Sequence, residues 1–166
     1  MCKDTITLIV SIATVLISIA TFSVAYSQMK IASAKTKLDL YNKRFNVYAS
    51  ALNYYQATWH ESHEKIKERG IEFTKSYRES QFLFELSDGV YETLGKIQQD
   101  GAHIYAYKEH KYESENNLTD NRFDLTALHN LSVDAGFNFE KNLKNLEKQI
   151  EKYIRFQTIT GWKFFR

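Results

Sequence analysis

The chain has 166 residues, a net charge of +2, eleven Tyr, eleven Phe, a single Cys and no Pro. That length holds a membrane anchor and one small domain. The near-neutral charge argues against a general nucleic-acid binder, and Cys2 alone excludes an intramolecular disulfide framework. Average usage would place roughly eight prolines here. A Pro-free chain rich in Lys, Glu and Leu is permissive for long helices.

The first element is apolar. Between Thr5 and Gln28 no residue is charged, a run of 24 residues. As a helix it is about 36 Å long, enough to cross a hydrocarbon core of about 30 Å with some tilt. A cleaved signal peptide, with Ser23-Val24-Ala25 as its cleavage site, is the competing reading. The run is too long for a typical h-region, and the segment before it is nearly neutral, with Lys3 set against Asp4. Lys30, Lys35, Lys37, Lys43 and Arg44 follow the run whereas Lys3 alone precedes it. The positive-inside rule therefore puts the N-terminus outside and the rest of the chain in the cytoplasm. Tyr26 falls where an interfacial aromatic is expected.

Within the run, Thr7, Ser11, Thr14, Ser18, Thr21, Ala25 and Gln28 recur at steps of four and three, so they share one helix face. Small and hydroxylic residues on one face of a membrane helix suit close helix–helix association. The expectation is a self-association face, at its extreme a hydroxyl-lined pore. The plain alternative is that each hydroxyl bonds the carbonyl one turn back and does nothing more.

The helix is expected to continue past the run. Leu38, Tyr41, Phe45, Tyr48, Leu52, Tyr55 and Trp59 form its apolar seam, with Lys37, Lys43, Arg44 and Asn46 opposite, and it ends at Arg69 with Gly70 as C-cap. A second helical region carries Ile71, Phe73, Tyr77, Phe82, Leu83 and Leu86. Ser87-Asp88-Gly89 breaks it, with Asp88 as N-cap of the next helix. Val90, Leu94, Ile97, Gly101 and Ile104 then resume a seam, in which Gly95 and Gly101 either weaken the helix or mark close helix approach. Residues 113–121 read as a polar loop. A short helix over 122–131, capped by Asp120 or Asn121, precedes a last helix over 134–156 with seam Phe139, Leu143, Leu146, Ile150 and Tyr153. The fold class is all-α: one N-terminal transmembrane helix continuing into an antiparallel cytoplasmic helical bundle. The expected divisions are an anchor over 1–28, a bundle over 29–157 and an aromatic, basic tail over 158–166.

Three stretches carry a resemblance. Lys37-Leu38-Asp39-Leu40-Tyr41-Asn42-Lys43-Arg44-Phe45-Asn46-Val47-Tyr48, Arg78-Glu79-Ser80-Gln81-Phe82-Leu83-Phe84 with Val90-Tyr91 and Leu94 behind it, and Lys152-Tyr153-Ile154-Arg155-Phe156 resemble runs in a family of small bacterial single-pass membrane proteins. The likeness covers about 37–98 and 146–156 and departs at Glu85–Gly89 and over 105–135. Some similar proteins accompany reverse transcriptases in retron antiphage systems. The resemblance implies a membrane effector of the bacterial inner membrane, restrained by a cytosolic protein or ribonucleoprotein such as a retron reverse transcriptase complex, that damages the membrane when released.

No catalytic constellation is evident: there is no phosphate loop, no zinc spacing and no nucleophile elbow. The expectation is a non-enzyme without cofactor or metal and without sequence-specific nucleic-acid binding, whose partners are the bilayer and further copies of itself. The best metal candidate is His60 with Glu64, facing Glu79 across a fold-back at Gly70, while His103 and His110 lie far from it; solvent-facing histidines are the plainer reading. Arg78 and Glu79, and the tail residues Trp162, Phe164, Phe165 and Arg166, are candidates for partner or membrane docking. The alternative function is a membrane-tethered adaptor whose helical domain binds a cytosolic protein.

Overall fold

The computed structural model describes residues 2–118 and 124–155. The described residues form four α-helices and one short 3-10 turn, with no strand among them: α1 (Cys2–His60), α2 (His63–Leu83), the 3-10 turn (Leu86–Asp88), α3 (Val90–Glu115) and α4 (Leu125–Ile154). The chain divides into two compact units between Asp39 and Leu40. In the first, the described residues are all helical and every side chain from Asp4 to Asp39 is exposed. The second is a helical bundle with a single apolar core.

The core forms where the sequence seams meet. Val90, Leu94, Ile97 and Ile104 of α3 are buried against Phe139, Leu143, Leu146 and Ile150 of α4, as their spacing predicts. Each fully buried side chain of this size contributes about 1.5–3 kcal/mol. Polar pairs fix the register between the helices. Asn142 Nδ2 donates to Asp100 Oδ2 at 2.8 Å, Asn145 Nδ2 to Thr93 Oγ1 at 3.3 Å, and Gln98 Nε2 to Thr74 Oγ1 at 2.9 Å.

The seam of α1 lies elsewhere than its aromatic residues suggest. Leu38, Phe45 and Trp59 are exposed, and Tyr41, Tyr48, Leu52 and Tyr55 are half-buried. The buried line is Val47, Ala51, Tyr54 and Ala57. It runs about one residue earlier, or about 100° round the helix. Two alanines on that line let α1 approach its neighbours closely, so the larger side chains flank the contact instead of filling it.

The helix ends also differ from expectation, for local reasons. α1 stops at His60, and Ser62 in extended conformation occupies the N-cap position of α2, a placement serine favours. Gly70 lies inside α2. Its role is to make room: a Cβ there would lie 3.2 Å from the Tyr54 hydroxyl. At the next break Gly89, with φ of 69°, is the N-cap of α3 in place of Asp88, whose carboxylate is engaged elsewhere. α3 extends to Glu115, three residues into the expected loop. It closes with Asn117 in the left-handed region, Asn117 N–H donating to the Ser114 carbonyl and Leu118 N–H to the Glu113 carbonyl. The two last helices expected from sequence are one, α4. Its N-cap is Asp124, which accepts from the backbone N–H of Thr126 and Ala127 at 2.9 and 3.2 Å; Asp120 and Asn121 lie outside the described residues.

Tyr54 is the point on which all four helices converge. Its ring lies 5.4 Å from Phe73 of α2 and 5.5 Å from Phe139 of α4. On the α3 side it faces Gly101, where a Cβ would overlap the tyrosine ring. Both phenylalanines are fully buried, so the ring has nowhere to move. Gly101→Ala should therefore destabilise the protein by about 1–3 kcal/mol through overpacking, although alanine is the better helix former. Gly136→Ala, where a Cβ meets nothing within 4 Å, should instead stabilise by up to about 1 kcal/mol. Thermal unfolding of the two variants, followed by circular dichroism, checks the contrast in sign.

Candidate functional site

The apolar stretch of α1 is long and apolar enough to cross a membrane. None of its most hydrophobic window is buried; Ile6, Leu16 and Ile19 are about 60% exposed and Phe22 74%. A soluble monomer rarely leaves so long a contiguous apolar surface uncovered. At its end the Lys30 ammonium sits 4.6 Å from the centroid of the Tyr26 ring, a cation–π pair.

Thr7, Ser11, Thr14, Ser18, Thr21, Ala25 and Gln28 all lie on this exposed part of α1. Four of the hydroxyls donate to carbonyls one turn back: Ser11 to Thr7 at 2.9 Å, and Thr14 to Val10, Ser18 to Thr14 and Thr21 to Ile17, each at 2.8 Å. The off-face Ser27 does the same toward Ser23 at 3.0 Å. These donors are thus satisfied within the helix, and each oxygen retains a lone pair that can accept. Association along the face would then draw on close packing of small side chains more than on new hydrogen bonds.

A second site lies in the bundle, where residues far apart in sequence meet around Arg44. Sequence spacing places Arg44 on a solvent face, but it is half-buried. Its Nε donates to the Leu83 carbonyl at 2.9 Å, at the end of α2. Its guanidinium lies 4.4 Å from the centroid of the Tyr153 ring and 6.0 Å from that of Phe84. Phe84 and Tyr153 pack edge to face at 5.2 Å. The Tyr153 hydroxyl accepts from the Glu85 backbone N–H at 3.2 Å and donates to the Asp88 carboxylate, which also takes a hydrogen bond from Lys152 Nζ at 2.6 Å. Hydrogen bonds from Lys152 and Tyr153 hold the Asp88 carboxyl below the usual carboxylate range. This cluster ties α1 to the α2–α3 connection and to the end of α4. It draws together residues from three stretches well separated in sequence, at 44, 83–88 and 152–153. Sequence periodicity alone has no means of finding it, because the contacts are between elements.

Arg78 and Glu79 are exposed on α2. Arg78 Nη1 donates to the Tyr91 hydroxyl at 3.2 Å, and its guanidinium lies 5.3 Å from the Tyr77 ring centroid. Trp162, Phe164, Phe165 and Arg166 lie outside the described residues.

The metal candidate loses its geometry. With the fold-back at Glu61-Ser62 rather than Gly70, the segment brought to the start of α2 is the end of α3, not Glu79. His63 packs on Tyr112 with ring centroids 4.5 Å apart, and Lys108 Nζ donates to the Glu61 carbonyl at 3.3 Å. His110, bonded to Glu113 at 3.0 Å, is thus near this end instead of far from it. Among the described residues no group of three or more His, Cys, Asp or Glu side chains is placed to hold a metal.

An apolar groove of about 300 Å³, which the sequence reading did not single out, opens between the end of α1, α3 and α4. Trp59, Ile104, Tyr107, Val133 and Phe137 line it, with Lys108 and Glu140 among the few charged groups. Burial there pushes the Lys108 ammonium pKa down.

No protein-family model, no curated protein and no solved structure matches the chain.

Two expectations follow from these carboxylates, with opposite signs. The Asp88 pKa is lower folded than unfolded, so its contribution is present above the usual carboxylate pKa near 4 and is lost as pH falls through the depressed value. Asp88→Asn should lower the melting temperature at pH 7 and flatten its decline on the acid side. Asp100 is the reverse. Burial in the α3–α4 interface raises its pKa against the opposing effects of Asn142 and His103, so its ionisation costs stability as pH rises through that raised value. Asp100→Asn, which retains an acceptor for Asn142, should raise the melting temperature at pH 7 and leave it unchanged below about pH 3. Melting curves of both variants over pH 2.5–8 separate the two behaviours.

Proposed function

We propose that this chain is a non-enzymatic membrane effector. In this reading residues 5–28 cross the bacterial inner membrane with the N-terminus outside and the bundle in the cytoplasm, and copies of the span associate through the Thr7–Gln28 face and perturb the bilayer. The observation that carries the proposal is the exposed, charge-free stretch of α1 with its single stripe of small and hydroxylic residues. Lipid covers the apolar faces at no cost, while the stripe offers neighbouring helices the close approach on which membrane association depends. The cations after the stretch support the orientation. The setting, abortive infection of the retron antiphage type with a cytosolic protein or ribonucleoprotein holding the effector silent, rests on the sequence resemblance alone.

A second reading, a tethered adaptor whose bundle binds a cytosolic protein, is favoured by one specific observation. The stripe hydroxyls bond their own helix, so the span is self-sufficient in lipid and needs no partner to satisfy them.

Inducible expression in bacteria separates the two. An effector should depolarise the membrane and reduce viability, and Ser11→Leu combined with Ser18→Leu, which removes two small hydroxylic residues from the stripe and keeps the span apolar, should suppress both effects. Depolarisation that survives the double substitution would rule out the stripe as the route. Cells that stay polarised and viable at full expression would favour the adaptor.

A further inference from the structure

The groove between α1, α3 and α4 combines a concave apolar lining with large apolar side chains exposed at its lips. Phe137 is 72% exposed and Trp59 58% exposed at its lips, and Val133 is 44% exposed beside them. At roughly 150–250 Å² per aromatic side chain and somewhat less for valine, two such faces brought together would cover on the order of 700 Å². That is short of the roughly 1,000 Å² a stable free-standing interface needs. It suffices for a contact between molecules already confined together, where tethering raises the effective concentration.

The charges narrow the occupant. The groove is lined by one cation from α3, Lys108, and one anion from α4, Glu140. A strongly acidic or basic partner would satisfy one of them and oppose the other. A copy of the same surface turned by a two-fold axis satisfies both, since each Lys108 then meets the other copy's Glu140, as an isologous interface requires. In the single chain neither group is committed to the other: Lys108 Nζ reaches the Glu61 carbonyl at 3.3 Å, and Glu140 accepts from the exposed Lys144 at 2.5 Å.

We infer that this groove is the docking site for a second copy of the chain: Phe137 of each copy enters the apolar groove of the other, and Lys108 pairs with Glu140 across the two-fold. The contact deepens the self-association proposed above by adding a surface in the bundle; it rests on the membrane-anchored reading for its tether, and it is tested separately from association through the Thr7–Gln28 face.

The test uses the full-length chain with Cys2→Ser, reconstituted in phosphatidylcholine vesicles and treated with a short bismaleimide. Val133→Cys, beside the groove, should crosslink about tenfold faster than Phe82→Cys, which is more exposed at 82% and lies on α2, away from the groove. In the Val133→Cys background, Phe137→Ala should bring the rate down to the Phe82 level. Lys108→Glu alone and Glu140→Lys alone should each slow it about tenfold through like-charge contact, and the two together should restore it. Circular dichroism confirms that each variant is folded, and a loss of helix in one single swap leaves the other to carry the comparison. Equal rates at 133 and 82, or a double swap no faster than the single ones, would overturn the inference, as would capture of only other proteins when the bundle is crosslinked in cells. Ser18→Cys in the same vesicles reports on the span. Crosslinking at 133 without 18 supports the groove and removes the span-association reading; crosslinking at 18 without 133 does the opposite.

Discussion

Tyr54 sits in a slot made by two glycines and two phenylalanines, and the second unit is built around that slot. Phe73 and Phe139 hold the ring from α2 and α4, while Gly101 removes a Cβ that would overlap it and Gly70 one that would crowd it. Four helices therefore come close at one aromatic ring. A ring fixed on all sides leaves little freedom in how α1 rotates, and that rotation determines which residues of α1 are buried. The small residues Ala51 and Ala57 follow from the same close approach, and Phe45 and Trp59 are left outside for the same reason.

That rotation also turns Arg44 inward. Once α1 is set by Tyr54, Arg44 lies over Tyr153 and reaches the Leu83 carbonyl. The α2–α3 connection is held in turn, because Tyr153 and Lys152 take up Asp88. Gly89 can then begin α3 in a left-handed conformation that other residues rarely adopt. The Arg44 cluster is thus the second fixed point of the bundle. It joins Arg44, Phe84, Asp88 and Tyr153, residues far apart in sequence, at one point of the bundle.

The two units obey different rules of solvation. In the bundle, a core of apolar side chains is hidden and polar pairs such as Asn142–Asp100 set the register. In the first unit, apolar side chains are exposed and hydroxyls turn back on their own helix. The second arrangement is stable where the surroundings are apolar and cannot compete for hydrogen bonds. The groove beside Trp59 and Phe137 belongs to neither pattern: its apolar side chains are exposed although they lie on the bundle, and what sets it apart from other exposed apolar residues such as Phe82 is its concave shape and its flanking Lys108 and Glu140.

The all-helical class, the long charge-free stretch, the stripe within it, and the seams of α3 and α4 are all legible in the order of the amino acids. Each of these depends on composition or on a single period, and a regular repeat of Val90, Leu94, Ile97 and Ile104 or of Phe139, Leu143, Leu146 and Ile150 fixes the buried face without knowledge of a neighbour. The remaining features arise from contacts between elements. Gly70 reads as a helix end in sequence, yet it lies within α2 because Tyr54, sixteen positions earlier, needs the space. The aromatic repeat of α1 reads as a core, yet alanine and tyrosine line the contact because the helix–helix distance, not hydrophobicity, selects them. Arg44 reads as solvated and Asp88 as a cap, and both are drawn into one cluster by residues more than sixty positions from Asp88. A periodic pattern reports what one element hides; which element lies against it, and how closely, is set by side chains that the pattern does not contain.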